Sequence, residues 1–170
     1  MRNWDTMTSN HDISVLFVCL GNICRSPLAE GVLLHRLEAA GLSDRVSVDS
    51  AGTGAWHVGQ RPDTRSIAVA AKNGIELPGT ARRVRLEDFF EFHFVLAMDR
   101  SNLEDLKDLE SGSESDAAIR LFLEFDPQEE NDMEVPDPYY GGPDGFERVF
   151  EMVDRTCVAL VEHLQEQLVS

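Results

Sequence analysis

The chain reads as an α/β protein: a single three-layer domain with a four-stranded parallel sheet and helices on both faces. Three observations predict this. Short apolar runs alternate along the chain with stretches of helical period, the pattern of parallel strands joined by helical crossovers. The runs Ile13–Val18 and His93–Ala97 are apolar almost throughout, as in strands buried on both faces. The 170 residues, 42% of them hydrophobic, suffice for one full core, and four strands suit that length. No repeat, Pro-rich linker or second compositional block divides the chain.

Each element follows from local signals. Met1–Asp12 is polar, with Arg2 its one arginine or lysine, and is expected to form a flexible tail ahead of a domain spanning residues 13–170; it lacks the features of a signal peptide. Ile13–Val18 is the first strand. Pro27 suits the first turn of a helix, Leu28, Val32, Leu33, Leu37 and Ala40 recur at helical spacing, and Gly41 ends the run. Val46–Asp49 is a short second strand. Asp63 is a candidate N-cap for a helix to Lys72, which Asn73-Gly74 closes. Leu86–Phe90 reads as one helical turn, His93–Ala97 as the third strand, and Asp99 as the cap of a helix to about Leu109. Ser111–Asp116 is a loop, Ile119–Leu123 the fourth strand, and Asp126–Asp137 an exposed loop rich in acids and without a base. The last helix is expected from Gly142 or Pro143 to Leu168, with Phe146, Val149, Phe150, Val153, Cys157, Leu160 and Leu164 on one face.

Composition narrows the function. Fifteen Lys and Arg against 31 Asp and Glu give a formal charge of −16, which argues against nucleic acid or an anionic membrane as partner. No apolar stretch has the length of a membrane span. Three cysteines, an odd number, do not make a secreted disulfide scaffold, and a cytoplasmic location is expected. A monomer is the expected state. The histidines show no metal-ligand spacing, and neither HExxH nor CxxC occurs, so no metal and no cofactor are expected. Arg82, Arg83 and Arg85 form a basic cluster expected to pair with surface acids.

The most informative stretch is Cys19-Leu20-Gly21-Asn22-Ile23-Cys24-Arg25-Ser26, between the first strand and the first helix. Strand, tight loop and helix start aim backbone N–H groups and a helix dipole at one small volume, where an anion is stable and a thiolate is favoured. Arg25 offers a planar fork for two phosphate oxygens, and Ser26 Oγ is placed to donate to the Cys19 sulfur. Asn22 suits a left-handed backbone position that organises the loop. A nucleotide-binding glycine loop with an incidental cysteine fits less well, because neither GxGxxG nor GK[ST] is present. The stretch predicts an enzyme that takes phosphoryl groups onto sulfur. Such a reaction needs a proton donor for the leaving oxygen, and Asp137, held in Pro136-Asp137-Pro138, is the candidate. Tyr139, Tyr140, Trp56 and Leu20 are expected to wall the pocket and to favour aryl phosphates; for Trp56 the competing reading is core packing.

The C-L-G-N-I-C-R-S-P loop, with Val48-Asp49-Ser50-Ala51-Gly52-Thr53, Pro62-Asp63-Thr64-Arg65-Ser66 and Asp137-Pro138-Tyr139-Tyr140 in that order, resembles the low-molecular-weight protein tyrosine phosphatase family from about Ile13 to Leu168. The resemblance implies strand order 2-1-3-4 and a protein tyrosine phosphatase hydrolysing phosphotyrosine or aryl phosphate monoesters through a phosphocysteine intermediate. It implies Cys19 as nucleophile, Arg25 as phosphate clamp and Asp137 as acid, a substrate cradle of Leu20, Gly21, Asn22, Ile23, Cys24 and Ser26, and Ser50 as a support of Asn22. It also implies that Cys24 can form a reversible disulfide with Cys19, protecting it from irreversible oxidation; the competing reading is a buried space-filling thiol. Three alternatives remain. A protein-arginine phosphatase of similar sequence tends to carry Thr where this chain has Ile23. A thiol-dependent arsenate reductase needs further reducible cysteines near the nucleophile, and Cys157 is far along the last helix. A non-catalytic phosphate-binding module would keep the cradle without turnover.

Overall fold

The computed structural model describes residues 11–128, 131–140, 142 and 144–169. Its sheet has four strands in the order β2-β1-β3-β4, all neighbours parallel. These are β1 (Ile13–Cys19), β2 (Val46–Gly52), β3 (Phe94–Ala97) and β4 (Ala118–Leu121). The helices are α1 (Arg25–Ala39), α2 (Thr64–Lys72), α3 (Asp88–Glu91), α4 (Arg100–Glu110) and α5 (Gly145–Val169). The fold class and strand order are as expected.

All seven residues of β1 are buried, because both faces of the sheet are covered. Alternate side chains enter separate cores. Val15, Phe17 and Cys19 face a core built with α1, α2 and α5, whereas Leu16 and Val18 meet Val95, Ala97, Phe89 and Leu106 on the side of α3 and α4. Each large apolar side chain fully withdrawn from water contributes about 1.5–3 kcal/mol, so this central strand is held firmly between the two cores. Its C-terminal end carries Cys19.

Two boundaries differ from expectation for physical reasons. The fourth strand ends at Leu121, and Phe122–Phe125 forms a 3₁₀ turn. A continued strand would send Phe122 and Leu123 to opposite faces; the turn puts both into the larger core, with Phe122 edge-on to Phe17 at 5.1 Å. Glu124 Oε2 accepts the Leu121 N–H at 2.8 Å and caps the turn. The second strand runs on to Gly52, where Ser50, Ala51 and Gly52 pair with Phe17, Val18 and Cys19. The small residues Ser50, Ala51 and Gly52 hid that extension. Of the expected N-terminal tail, residues 1–10 lie outside the described residues; Asp12 donates its N–H to Arg45 O at 2.9 Å and pairs with the Arg45 guanidinium.

Candidate active site

β1 delivers Cys19 to the carboxyl end of the sheet between β2 and β3, where chain connections leave in opposite directions and open α/β sheets bind ligands. The loop that follows is held from below. Asn22 has a left-handed backbone, φ 57°, which turns its N–H onto Cys19 Sγ at 3.2 Å. Its side-chain amide has a fixed orientation, because Oδ1 accepts the Arg82 N–H at 3.0 Å. Nδ2 therefore donates to Ser26 Oγ at 2.8 Å and to Ser50 Oγ at 3.0 Å. Ser50 Oγ donates in turn to Glu30 Oε1 at 2.6 Å. Ser26 Oγ accepts from Asn22 and lies 3.0 Å from Cys19 Sγ and 3.5 Å from Ala51 O; toward an ionised sulfur, which has no hydrogen to give, its hydroxyl is the donor. Two donors thus converge on the sulfur.

α1 begins at Arg25 with no side-chain cap on its N-terminus and no acid in its first turn. That leaves its positive end open toward the loop. Arg25 is 3% exposed. Its Nη1 donates to Asp99 Oδ2 at 2.7 Å and to Val135 O at 3.0 Å, and Nη2 lies 3.9 Å from Asp137 Oδ2. Burial opposes the guanidinium's charge, but Cys19 and Asp99 together hold its pKa above the ordinary arginine value. The guanidinium is permanently cationic. Asp137 is partly exposed at the opposite rim, with Oδ1 accepting the Tyr139 N–H at 3.0 Å and Oδ2 turned toward Arg25.

These groups surround a cavity of about 450 Å³ lined by Cys19, Leu20, Gly21, Ile23, Cys24, Arg25, Trp56, His57, Asp137 and Tyr139. Trp56 is 71% exposed, which excludes the core-packing reading. Asn22 and Ser26, expected in the substrate cradle, do not line the cavity. Their side chains are buried beneath the loop: Ser26 Oγ touches the sulfur, while the Asn22 amide bonds Ser26 and Ser50 and only its backbone N–H reaches the sulfur. The side chain of Tyr140 lies outside the described residues. Burial, aided by the charges of Asp63, Cys19 and Asp137, pushes the Cys24 thiol up to about 12, so it stays protonated. Cys157 is in the core of α5. Arg82 pairs with Asp88 and Asp49, and Arg85 with Asp88 and Glu91.

Sequence reasoning missed three residues. Asp99 was read only as a helix cap. Oδ1 does cap α4 through the Asn102 N–H at 2.8 Å, while Oδ2 anchors Arg25; its place just beyond β3, the sheet neighbour of β1, was the available signal. Glu30 carried no signal beyond its helical position. His57 lies against Gly21: a Cβ there would meet its Cδ2 at 3.0 Å.

Among the described residues no group of three or more His, Cys, Asp or Glu side chains is placed to hold a metal ion, and no helix is long and apolar enough to cross a membrane. A sulfur held by two donors beside a buried guanidinium, with a carboxyl at the rim, defines a cysteine-dependent phosphatase site. Comparison with known proteins agrees. The low molecular weight phosphotyrosine protein phosphatase family matches residues 14–170. The low molecular weight phosphotyrosine protein phosphatase of Schizosaccharomyces pombe is 50% identical over 141 residues, covering 82% of this chain and 88% of that protein. A crystal structure of the protein tyrosine phosphatase of Entamoeba histolytica, with Hepes in its active site, matches with a TM-score of 0.85 at 36% identity, covering 91% of this chain and 98% of that one. The drosophila arginine phosphatase matches with a TM-score of 0.82 at 32% identity, covering 88% and 96%. The chain belongs to the low molecular weight phosphotyrosine protein phosphatase family, hydrolases whose mechanism depends on a cysteine.

Proposed function

We propose that this chain hydrolyses phosphotyrosine and related aryl phosphate monoesters, with Cys19 as nucleophile, Arg25 as phosphate clamp and Asp137 as general acid and base. The observation that carries this reading is the pair of donors, Asn22 N–H and Ser26 Oγ, on a sulfur at the floor of a cavity that Asp137 also lines. In the first step Cys19 Sγ attacks phosphorus while the ester oxygen departs with the proton of Asp137, giving phosphocysteine and a phenol. In the second, the Asp137 carboxylate takes a proton from water, the water oxygen attacks phosphorus, and the S–P bond breaks. The sulfur leaves as a thiolate that Ser26 and Asn22 stabilise. Through both steps the Arg25 fork and the loop amides hold the equatorial oxygens, where the charge of phosphoryl transfer accumulates.

Trp56, Tyr139 and Leu20 give the mouth an aromatic and apolar wall, which supports aryl over alkyl esters. Ile23, apolar and in the cavity wall, supports phosphotyrosine over phosphoarginine, the chemistry named for the drosophila relative. All three cysteines are unpaired, and with the net charge of −16 this supports a cytoplasmic monomer; the family supports a tyrosine-phosphorylated protein as its substrate. Cys24 is proposed to trap oxidised Cys19 reversibly.

The test is a series of aryl phosphates of rising phenol pKa. Asp137→Ala is expected to lower kcat/KM by about 10²–10⁴-fold for phenyl phosphate and far less for p-nitrophenyl phosphate, whose phenolate leaves unaided. Cys19→Ser is expected to abolish turnover and keep phosphate binding. Turnover surviving in Cys19→Ser, or phosphoarginine cleaved as fast as phosphotyrosine by the unmodified protein, would overturn the assignment.

A further inference from the structure

The Pro62–Ser66 motif is absorbed by nothing in the reaction as written, yet its arginine touches both halves of the site. Asp63, the N-cap of α2, donates its N–H to Ile23 O in the nucleophile loop at 2.8 Å. Its carboxylate takes two bonds from Arg65: Nε to Oδ1 and Nη2 to Oδ2, each 3.0 Å. The same guanidinium donates from Nη1 to Tyr139 O at 3.3 Å. It also lies over the rings of Tyr139 and Phe146, 5.2 and 4.6 Å from their centres. Tyr139 in turn donates its N–H to Asp137 Oδ1. An unbroken chain of contacts, Ile23–Asp63–Arg65–Tyr139–Asp137, therefore joins the nucleophile loop to the acid.

We propose that Arg65 is a positioning residue that sets the distance between the acid loop and the nucleophile loop. The proposal rests on the acid role of Asp137. Three features suit Arg65 to the task. A planar fork engages Asp63 through two donors and leaves a third for the Tyr139 carbonyl, which an ammonium cannot reproduce. Its faces stack on aromatics of two elements, the acid loop and the first turn of α5. The Arg65 hydrogen bonds also hold the Asp63 carboxyl below its ordinary range, so the pair persists in mild acid. The Arg65 side chain is 46% exposed, and ion pairs so exposed contribute little to folding. Its loss should appear in the reaction before it appears in stability.

Arg65→Ala and Arg65→Lys in the full chain, with the same aryl phosphate series, test this. A displacement of about 1 Å costs about 10²-fold when it misplaces a reacting group. Arg65→Ala is accordingly expected to lower kcat/KM by about 10–100-fold on phenyl phosphate and by less than about 3-fold on p-nitrophenyl phosphate. The dependence on phenol pKa steepens while the melting temperature moves little. Arg65→Lys, with charge but no fork, is expected to behave like Arg65→Ala, and it carries the test if the alanine variant does not fold. Combined with Asp137→Ala, the loss of Arg65 is expected to steepen the dependence no further, because the group it positions is gone. An equal loss on all substrates, an unchanged slope, or a wild-type slope in Arg65→Lys overturns the proposal. An unchanged slope in Asp137→Ala alone would instead sink the acid role on which it rests.

Discussion

Gly52→Ala is the sharpest test of how the sheet positions the reaction. Gly52 ends β2 opposite Cys19. Its N–H donates to Arg82 O at 2.9 Å, and its carbonyl accepts from Val84 N at 2.8 Å. A Cβ at this position would lie 2.8 Å from Leu20 O and 3.2 Å from both Asn22 N and Asn22 Cβ. Ordinary contact begins at 3.4 Å, so the Leu20 carbonyl must retreat by about 0.6 Å. The obstacle is backbone on both sides, and β2 is tied to β1 and to the Arg82–Val84 segment, so the nucleophile loop is what gives way. With about 10²-fold lost per ångström of misplacement, that shift corresponds to about 10-fold or somewhat more in kcat/KM. The accompanying overpacking costs about 1–3 kcal/mol, which a domain of this size tolerates. The assay is kcat/KM on p-nitrophenyl phosphate beside a thermal melt. Gly54→Ala is the control: its Cβ would fall 1.8 Å from the Trp56 ring, but that ring is exposed and free to swing aside, so KM for aryl phosphates rises while Cys19 keeps its donors. Gly52→Ala at full activity would refute the claim that loop position is fixed by contact with β2.

Glu30→Gln is expected to remove a pH trend in stability. Burial pushes the Glu30 carboxyl from 4.5 up to about 7, so between those values the folded chain holds a proton the unfolded chain has released. Stability falls as pH rises through that window, by up to about 3 kcal/mol in all. The variant lacks this slope, and urea unfolding should show it gaining on the wild type between pH 5 and pH 8; a constant difference would show that Glu30 does not titrate there. Cys24→Ser is expected to retain turnover, since its protonated thiol does not attack phosphate, and to lose the activity that a dithiol restores after brief peroxide treatment. Recovery equal to the wild type would remove Cys24 from any protective role.

The sequence revealed those parts of the site whose chemistry is local. Cys19 to Ser26 is one strand–loop–helix unit, so spacing alone places a thiol, a guanidinium and a hydroxyl around one point. Asp137 is distant in sequence; the need for a proton donor and the Pro-Asp-Pro turn made it a candidate beside the other surface acids, and the resemblance through Asp137-Pro138-Tyr139-Tyr140 singled it out. The contacts of Asp99, Glu30 and Arg65 were hidden because their partners are brought close only by packing. A carboxylate has two oxygens, and reading Asp99 as a cap accounts for only one of them; the other is revealed only when β3 is seen beside β1, which brings Met98 and Asp99 against the first strand's end. Glu30 faces into the protein through Ser50, a residue of the stretch of β2 that sequence patterning missed. Arg65 sits within a helix turn, and its meaning lies in Tyr139 and Phe146, which sequence order separates and packing unites. The candidate reacting atoms could therefore be proposed one by one, while the distances between them belong to the strand order β2-β1-β3-β4. That order sets the loop after β1 between Gly52 on one side and Asp99 on the other, and a change at either flank should reach Cys19 chemistry without touching Cys19.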